Sequence, residues 1–143
     1  MMTSLAEGLS RIADRYGLRD VYAFGSRAGE IAARVRDADP VEGPQDSDVD
    51  IAVQPRESAT LDVATRSDLA TELEDLFDVA RLDLIVLSQA PPFLALDIIR
   101  GELLHTSDAL AQAEQELYVL RRAADLAPLE RERIRLIISE GAR

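Results

Sequence analysis

Three aspartates carry the chemical potential of this sequence. Asp48 and Asp50 alternate within "SDVDIAV", and Asp83 stands in a second apolar run, "RLDLIVL". In an extended strand, residues two apart share a face, so Asp48 and Asp50 point one way while Val49, Ile51 and Val53 point the other. If the Asp83 run pairs beside them, three carboxylates crowd one sheet face, and like charges there are destabilising unless a cation neutralises them. Hard oxygen ligands that leave room for water and phosphate suit Mg²⁺. Two such ions between triphosphate oxygens and an attacking oxygen would stabilise in-line phosphoryl or nucleotidyl transfer.

The complementary half is Gly25-Ser26, which ends the apolar, aromatic run "VYAF". A glycine allows close backbone approach, and a serine opening the next helix offers amide and hydroxyl donors to phosphate. Arg27 reads either as a further phosphate contact or as a solvated helix residue.

Other chemistries are excluded by composition. There is no cysteine, no lysine and one histidine, His105, so thiolate chemistry, a lysine nucleophile and a multi-histidine metal site are ruled out. A net charge of −11 repels polyanions, so direct nucleic-acid binding is not expected. No apolar run reaches membrane-span length, and the amphipathic start is not a signal peptide, so the expectation is a soluble, cytoplasmic protein without a membrane partner.

The elements that must position these residues follow from periodicity. Leu5, Leu9, Ile12 and Ala13 recur at helical spacing and stop at Gly17. The run from Val21 to Ser26 reads as a buried strand entering a turn, "RAGEIAARVRDA" as a short helix, and Asp39 to Gln45 as a proline-containing loop. A strand around "SDVDIAVQ", a helix over "TLDVATRSDLATELEDLF" and a strand at "ARLDLIVL" come next. From Pro91 onward everything is expected to be helical, in three pieces: "PPFLALDIIRGELLH", "DALAQAEQELYVLRRAADL" and "PLERERIRLIISEG". His105 then falls at a helix end, as a cap or surface residue. The sum is one α+β domain over residues 1–143, a mixed sheet flanked by helices, with a core of about 1–105 and a helical tail of about 106–143. The tail carries two apolar stripes, Leu110, Leu117 and Leu120, then Leu129, Ile134, Ile137 and Ile138. Amphipathic helices usually pack at home, so both are expected to close the core, the alternative being that one meets another protein.

Two plainer readings compete with the metal site. Asp46, Asp48, Asp50 and Glu57 match the spacing of a calcium-binding EF-hand loop, but the glycine that loop needs at its sixth position is Ile51. Solvated acids on an exposed sheet face would account for any one aspartate, though poorly for all three. Asp46 reads as a turn residue and Tyr118 as packing.

In its order of apolar strand, Gly-Ser, short helix, Asp-x-Asp strand and third-Asp strand ("AFGSRA", "SDVDIAV", "RLDLIVL"), the sequence resembles the nucleotidyltransferases with a polymerase-β-like core. Among these it is similar to the minimal nucleotidyltransferase (MNT) proteins. The stretch "APPFLALDIIRGELLHTSD", with its "I-x-x-G-x-x-L" pattern, extends the likeness over essentially the whole chain. The resemblance implies the polymerase-β-like fold and nucleotide contacts from Gly25, Ser26 and Arg27. It implies ATP as substrate and two Mg²⁺ ions, both bridged by Asp48 and Asp50, with Asp83 on the catalytic ion and drawing the proton from the attacking hydroxyl. It further implies an antitoxin of the type VII kind, transferring AMP to a tyrosine of a HEPN-domain RNase toxin within a hetero-oligomer. The alternatives are transfer to a small hydroxylated molecule such as an antibiotic, or neutralisation by binding alone. One departure stands out, because 21 residues separate Ser26 from Asp48, about twice the usual spacing in minimal members. The excess is expected to form a longer helix and an exposed proline loop beside the nucleotide.

Overall fold

The computed structural model describes residues 4–141; the first three residues of the amphipathic start and the last two of the tail lie outside the described residues. Helix α1 (Leu5–Tyr16) opens on Ser4, whose side chain accepts from the Glu7 amide, and closes on Gly17 at φ 66°, whose N–H returns to the Ala13 and Asp14 carbonyls. Strand β1 (Leu18–Phe24) leads into α2 (Ala28–Val35), and after a long loop comes β2 (Val49–Pro55). Helix α3 (Val63–Phe77) is capped by the Asp62 carboxylate accepting from the Thr65 amide. Strand β3 (Leu82–Val86), one turn of tighter helix (Leu87–Gln89) and α4 (Pro92–Ile99), with proline in its first turn, come next. The chain ends on β4 (Glu102–Thr106) and the long helix α5 (Ala109–Gly141).

The four strands form one mixed sheet in the order β3-β2-β1-β4. Both neighbours of β1 run antiparallel to it, and β2 pairs with β3 in parallel, which requires the crossover that α3 supplies. Alternation along β2 then sorts the side chains. Val49, Ile51 and Val53 pack with Val21 and Ala23 against Ile31 of α2 and against Leu69, Leu73 and Phe77 of α3, all buried. The opposite face carries Tyr22, Phe24 and Ala52 under Ala95 and Ile98 of α4 and Val119 of α5. The aspartates share that second face, at the end of the sheet where β1 finishes and β2 begins.

The C-terminal third is not wholly helical. "ELLHT" pairs with β1 as an edge strand, Tyr22 opposite Leu103 and Val21 opposite His105. Gly101 makes this possible, since a Cβ there would stand 2.3 Å from the Ala23 carbonyl oxygen. Contact with β1 therefore overrides a local pattern that reads as helix. His105 is accordingly a half-buried strand residue rather than a cap; its Nε2 is buried without a partner, and burial lowers its pKa. The two tail helices are also one, with Pro128 in its interior, where it lacks the N–H that would reach the Ala124 carbonyl.

Helix α5 is tied to the sheet mainly by polar contacts. Tyr22 donates its hydroxyl to Glu116 at 2.8 Å and accepts from Gln112 at 2.7 Å. Fully buried Asp20 accepts from Thr106 at 2.7 Å and from Arg19 Nε and Nη2, and Arg19 Nη2 reaches on to Gln115. Neither apolar stripe of the tail closes the core. Leu110, Leu117 and Leu120 are exposed, as are Leu129, Ile134, Ile137 and Ile138. A 33-residue helix runs about 50 Å, longer than the sheet it starts on, so among the described residues its second half has nothing to cover.

These burials predict opposite responses to mutation. Leu69→Ala, at a site with no exposed surface, should cost about 2–5 kcal/mol. Ile134→Ser with Ile138→Ser, at positions 46% and 66% exposed, should change stability by less than about 1 kcal/mol. Urea denaturation checks both; a collapsed transition in the double variant would put the stripe in the core after all.

Candidate active site

Two strand registers assemble the site. In the antiparallel pair, Phe24 stands opposite Asp50, so the chain turns at Gly25 directly beside the Asp50 side chain. In the parallel pair, Asp50 stands opposite Asp83, which brings residues 33 apart in sequence side by side on one face. Asp48 precedes β2 by one residue, two positions before Asp50 on the same side of the extended chain. Asp48 and Asp50 are partly buried and Asp83 is exposed.

Gly25 is fixed by two independent demands. Its φ of 75° suits glycine, and a Cβ placed there would lie 2.4 Å from Asp50 Oδ2. The carboxylate thus occupies the space where a side chain would be. Ser26 follows, exposed, in the turn that opens α2, where the Ala28 amide closes back on the Gly25 carbonyl at 3.3 Å. Arg27 is buried rather than solvated. Its guanidinium grips Glu30 through Nε and Nη2 and donates Nη1 to the Ser47 carbonyl at 3.1 Å.

The electrostatics agree with the crowding. Burial raises the Asp50 pKa above the usual carboxylate value, and the charges of Asp83 and then Asp48 raise it further. A counter-charge beside Asp50 would therefore favour its ionised form. The donor set, carboxylate oxygens and no nitrogen or sulfur, fits Mg²⁺. As the side chains stand, no three acid or histidine groups among the described residues are gathered closely enough to hold a metal ion.

Two hollows flank the acids. One runs from Gly25 and Asp50 to Leu94, Asp97, Arg100 and Glu102. The other lies between Asp48 and Arg81, with Arg27 in its wall. The α4–β4 corner escaped sequence reasoning because it lies far from the acids in sequence; Arg81 stands only two residues before Asp83 but was not singled out there. Gly101 at that corner was the available signal, being the glycine of the "I-x-x-G-x-x-L" pattern. Asp46 lies in the turn before Asp48, as a turn residue should, and Ile51 is buried in β2, which leaves no EF-hand loop.

The model of the polymerase beta nucleotidyltransferase family matches residues 7–110, covering the sheet, the acids and the Gly-Ser turn. The chain belongs to this family. Comparison with curated proteins gives no match. Among solved structures, a chain of a mutant MntA–HpeT toxin–antitoxin is 23% identical over 96% of this chain and 98% of its own, with a TM-score of 0.65. A toxin–antitoxin with AMP-PNP matches at 23% identity, covering 96% and 98%, with a TM-score of 0.62. A complex of tri-AMPylated Shewanella oneidensis HEPN toxin with MNT antitoxin matches at 22%, covering 97% of each chain, with a TM-score of 0.61. At these identities the likeness establishes a shared fold.

The raised Asp50 pKa has a defined sign. The folded protein holds this proton more tightly than the unfolded chain, so stability falls as pH rises from the unfolded carboxylate range through the folded value. In the absence of divalent cations, Asp50→Asn should therefore melt above the wild type at pH 7, with the gap narrowing on acidification. Gly25→Ala should do the reverse, losing about 1–2 kcal/mol from the left-handed backbone alone. Calorimetry across pH 3 to 7 distinguishes these outcomes, an unchanged melting point for Asp50→Asn being evidence against the crowding.

Proposed function

We propose that this protein is a Mg²⁺-dependent nucleotidyltransferase that transfers AMP from ATP to a tyrosine of a HEPN-domain RNase toxin, and that it neutralises the toxin in this way. The carrying observation is the register that sets Asp50 beside Asp83, with Asp48 two residues before and Gly25 closed against Asp50. Membership of the nucleotidyltransferase family and the fold shared with toxin–antitoxin structures, one with AMP-PNP and one with an AMPylated toxin, support the reading.

Asp48 and Asp50 would hold two Mg²⁺ ions in common and Asp83 one of them; when bound, the ions supply charge neutralisation and polarise the phosphates. Ser26 and the first amides of α2 receive the outer phosphates. Asp83, the most exposed of the three, accepts the proton of the tyrosine hydroxyl. A bond forms between that oxygen and the α-phosphorus, the bond from the α-phosphorus to the bridging oxygen breaks, and pyrophosphate leaves. The whole chain acts as one unit, with a core of about 1–105 and a tail of about 106–143. Exposed Ile134, Ile137 and Ile138 on α5 give the toxin an apolar contact beside Arg131 and Arg135. No described helix is long and apolar enough to cross a membrane, and the reaction is assigned to the cytoplasm.

Incubation of the chain with its HEPN partner, Mg²⁺ and ATP labelled at the α-phosphate should label the toxin. Asp48→Asn with Asp50→Asn should abolish labelling in a protein that still folds. Ser26→Ala should reduce it by less, roughly 10-fold, because backbone donors remain. Undiminished labelling by the double variant would sink the metal assignment; a labelled small molecule and an unlabelled toxin would move the acceptor. Ile134→Ser with Ile138→Ser should still bind ATP but no longer copurify with the toxin.

A further inference from the structure

We propose that Arg27 is a positioning residue for Asp48, acting through the Ser47 carbonyl, and that the long segment between α2 and β2 is the buttress that holds it there. The inference rests on the reading of Asp48 as part of the transfer site. Asp48 lies outside the β-ladder, so strand pairing does not fix its orientation. Its two flanking peptide units are fixed instead. On one side, Arg27 Nη1 donates to Ser47 O at 3.1 Å. On the other, the Val49 amide donates to Arg81 O at 3.1 Å. The Ser47 carbonyl and the Asp48 amide belong to one rigid plane, so a bond to that oxygen sets the direction in which the Asp48 side chain leaves the backbone.

The Arg27 side chain is itself locked. Nη2 and Nε reach the two Glu30 oxygens at 2.7 and 3.2 Å, and the two side chains are only 9% and 12% exposed. Such a fork loses little entropy per bond formed, and its planar geometry transmits position. The segment of unusual length lies over this pair. A Cβ on Gly43 would stand 2.8 Å from Glu30 Oε1 and 3.6 Å from Arg27 Cγ, and one on Gly29 would stand 3.7 Å from Val41 Cγ1. The loop backbone therefore rests on the ion pair at the one residue type that can come so close. The extra residues thus serve as a lid over the Arg27–Glu30 pair, whose third bond orients an acid.

A phosphate ligand and a positioning residue respond differently to removal. Loss of a ligand raises KM for ATP, whereas loss of positioning lowers kcat at nearly constant KM. Arg27→Met alone would strand Glu30, so the informative variant is Arg27→Met with Glu30→Met, which removes both charges. Gly43→Ala, which presses a methyl onto the Glu30 oxygen that accepts from Arg27 Nε while keeping both charges, is the second variant. In the chain with its HEPN partner, both should lower kcat for toxin labelling, the double variant by roughly 10- to 100-fold. KM for ATP should stay within about threefold of wild type. Hydrogen exchange of the amides from 43 to 49 should quicken in both. A raised KM with unchanged kcat would make Arg27 a nucleotide ligand and overturn the proposal, as would unchanged exchange around Asp48. The exchange measurement needs no turnover. A wild-type protein that labels nothing would thus defeat the transfer reading while leaving the positioning role to be judged by exchange.

Discussion

The register that sets Asp50 beside Asp83, two like charges on one sheet face, is the constraint around which this molecule is arranged. Asp50 is placed by β1 on one side and β3 on the other, and Gly25 turns where the Asp50 oxygen fills the side-chain space. Charged groups withdrawn from water and set side by side cost stability, and the raised Asp50 pKa is that cost expressed as proton affinity. The opposite face of the same strand offsets it. Val49, Ile51 and Val53, all buried against α2 and α3, anchor β2 with apolar burial that the aspartates cannot supply.

The two faces of the sheet are stabilised differently. Beneath α1, α2 and α3 the core is built of apolar side chains, with Leu9, Leu69, Leu73 and Phe77 fully enclosed and half-buried His105 beside them. On the other face, α4 contributes Ala95 and Ile98, but α5 is tied by a chain of polar groups from Tyr22 and Asp20 through Gln112, Gln115 and Glu116. Directional bonds fix the rotation of α5 more tightly than apolar contact would, because each group has few acceptable partners. Farther along α5 the described hydrogen bonds run within the helix, from Arg133 to Glu130 and from Arg135 to Glu132, and the isoleucines are exposed. A surface of that kind suits a protein that works in a complex.

How much of this was written in the sequence differs from part to part. Alternation in "SDVDIAV" determined the two faces of β2, since a period of two admits only one sorting of valines and aspartates once one face is buried. The stop of α1 at Gly17 was equally local, its N–H returning to carbonyls within four positions, and the order of Gly-Ser, Asp-x-Asp and third Asp carried the family. Tertiary structure decided what depends on distant partners. "ELLHT" is a strand only because β1 has an open edge and Gly101 admits the approach, and His105 is half-buried for the same reason. Arg27 reads on sequence alone as a phosphate contact or a solvated helix residue; its burial beside Glu30 and its bond to a carbonyl 20 residues away depend on the tertiary structure. Neither stripe of α5 closes the core, although helical periodicity marked both as apolar. Periodicity states which side of a helix avoids water; whether anything in the same chain lies within reach of that side is settled by helix length and sheet size.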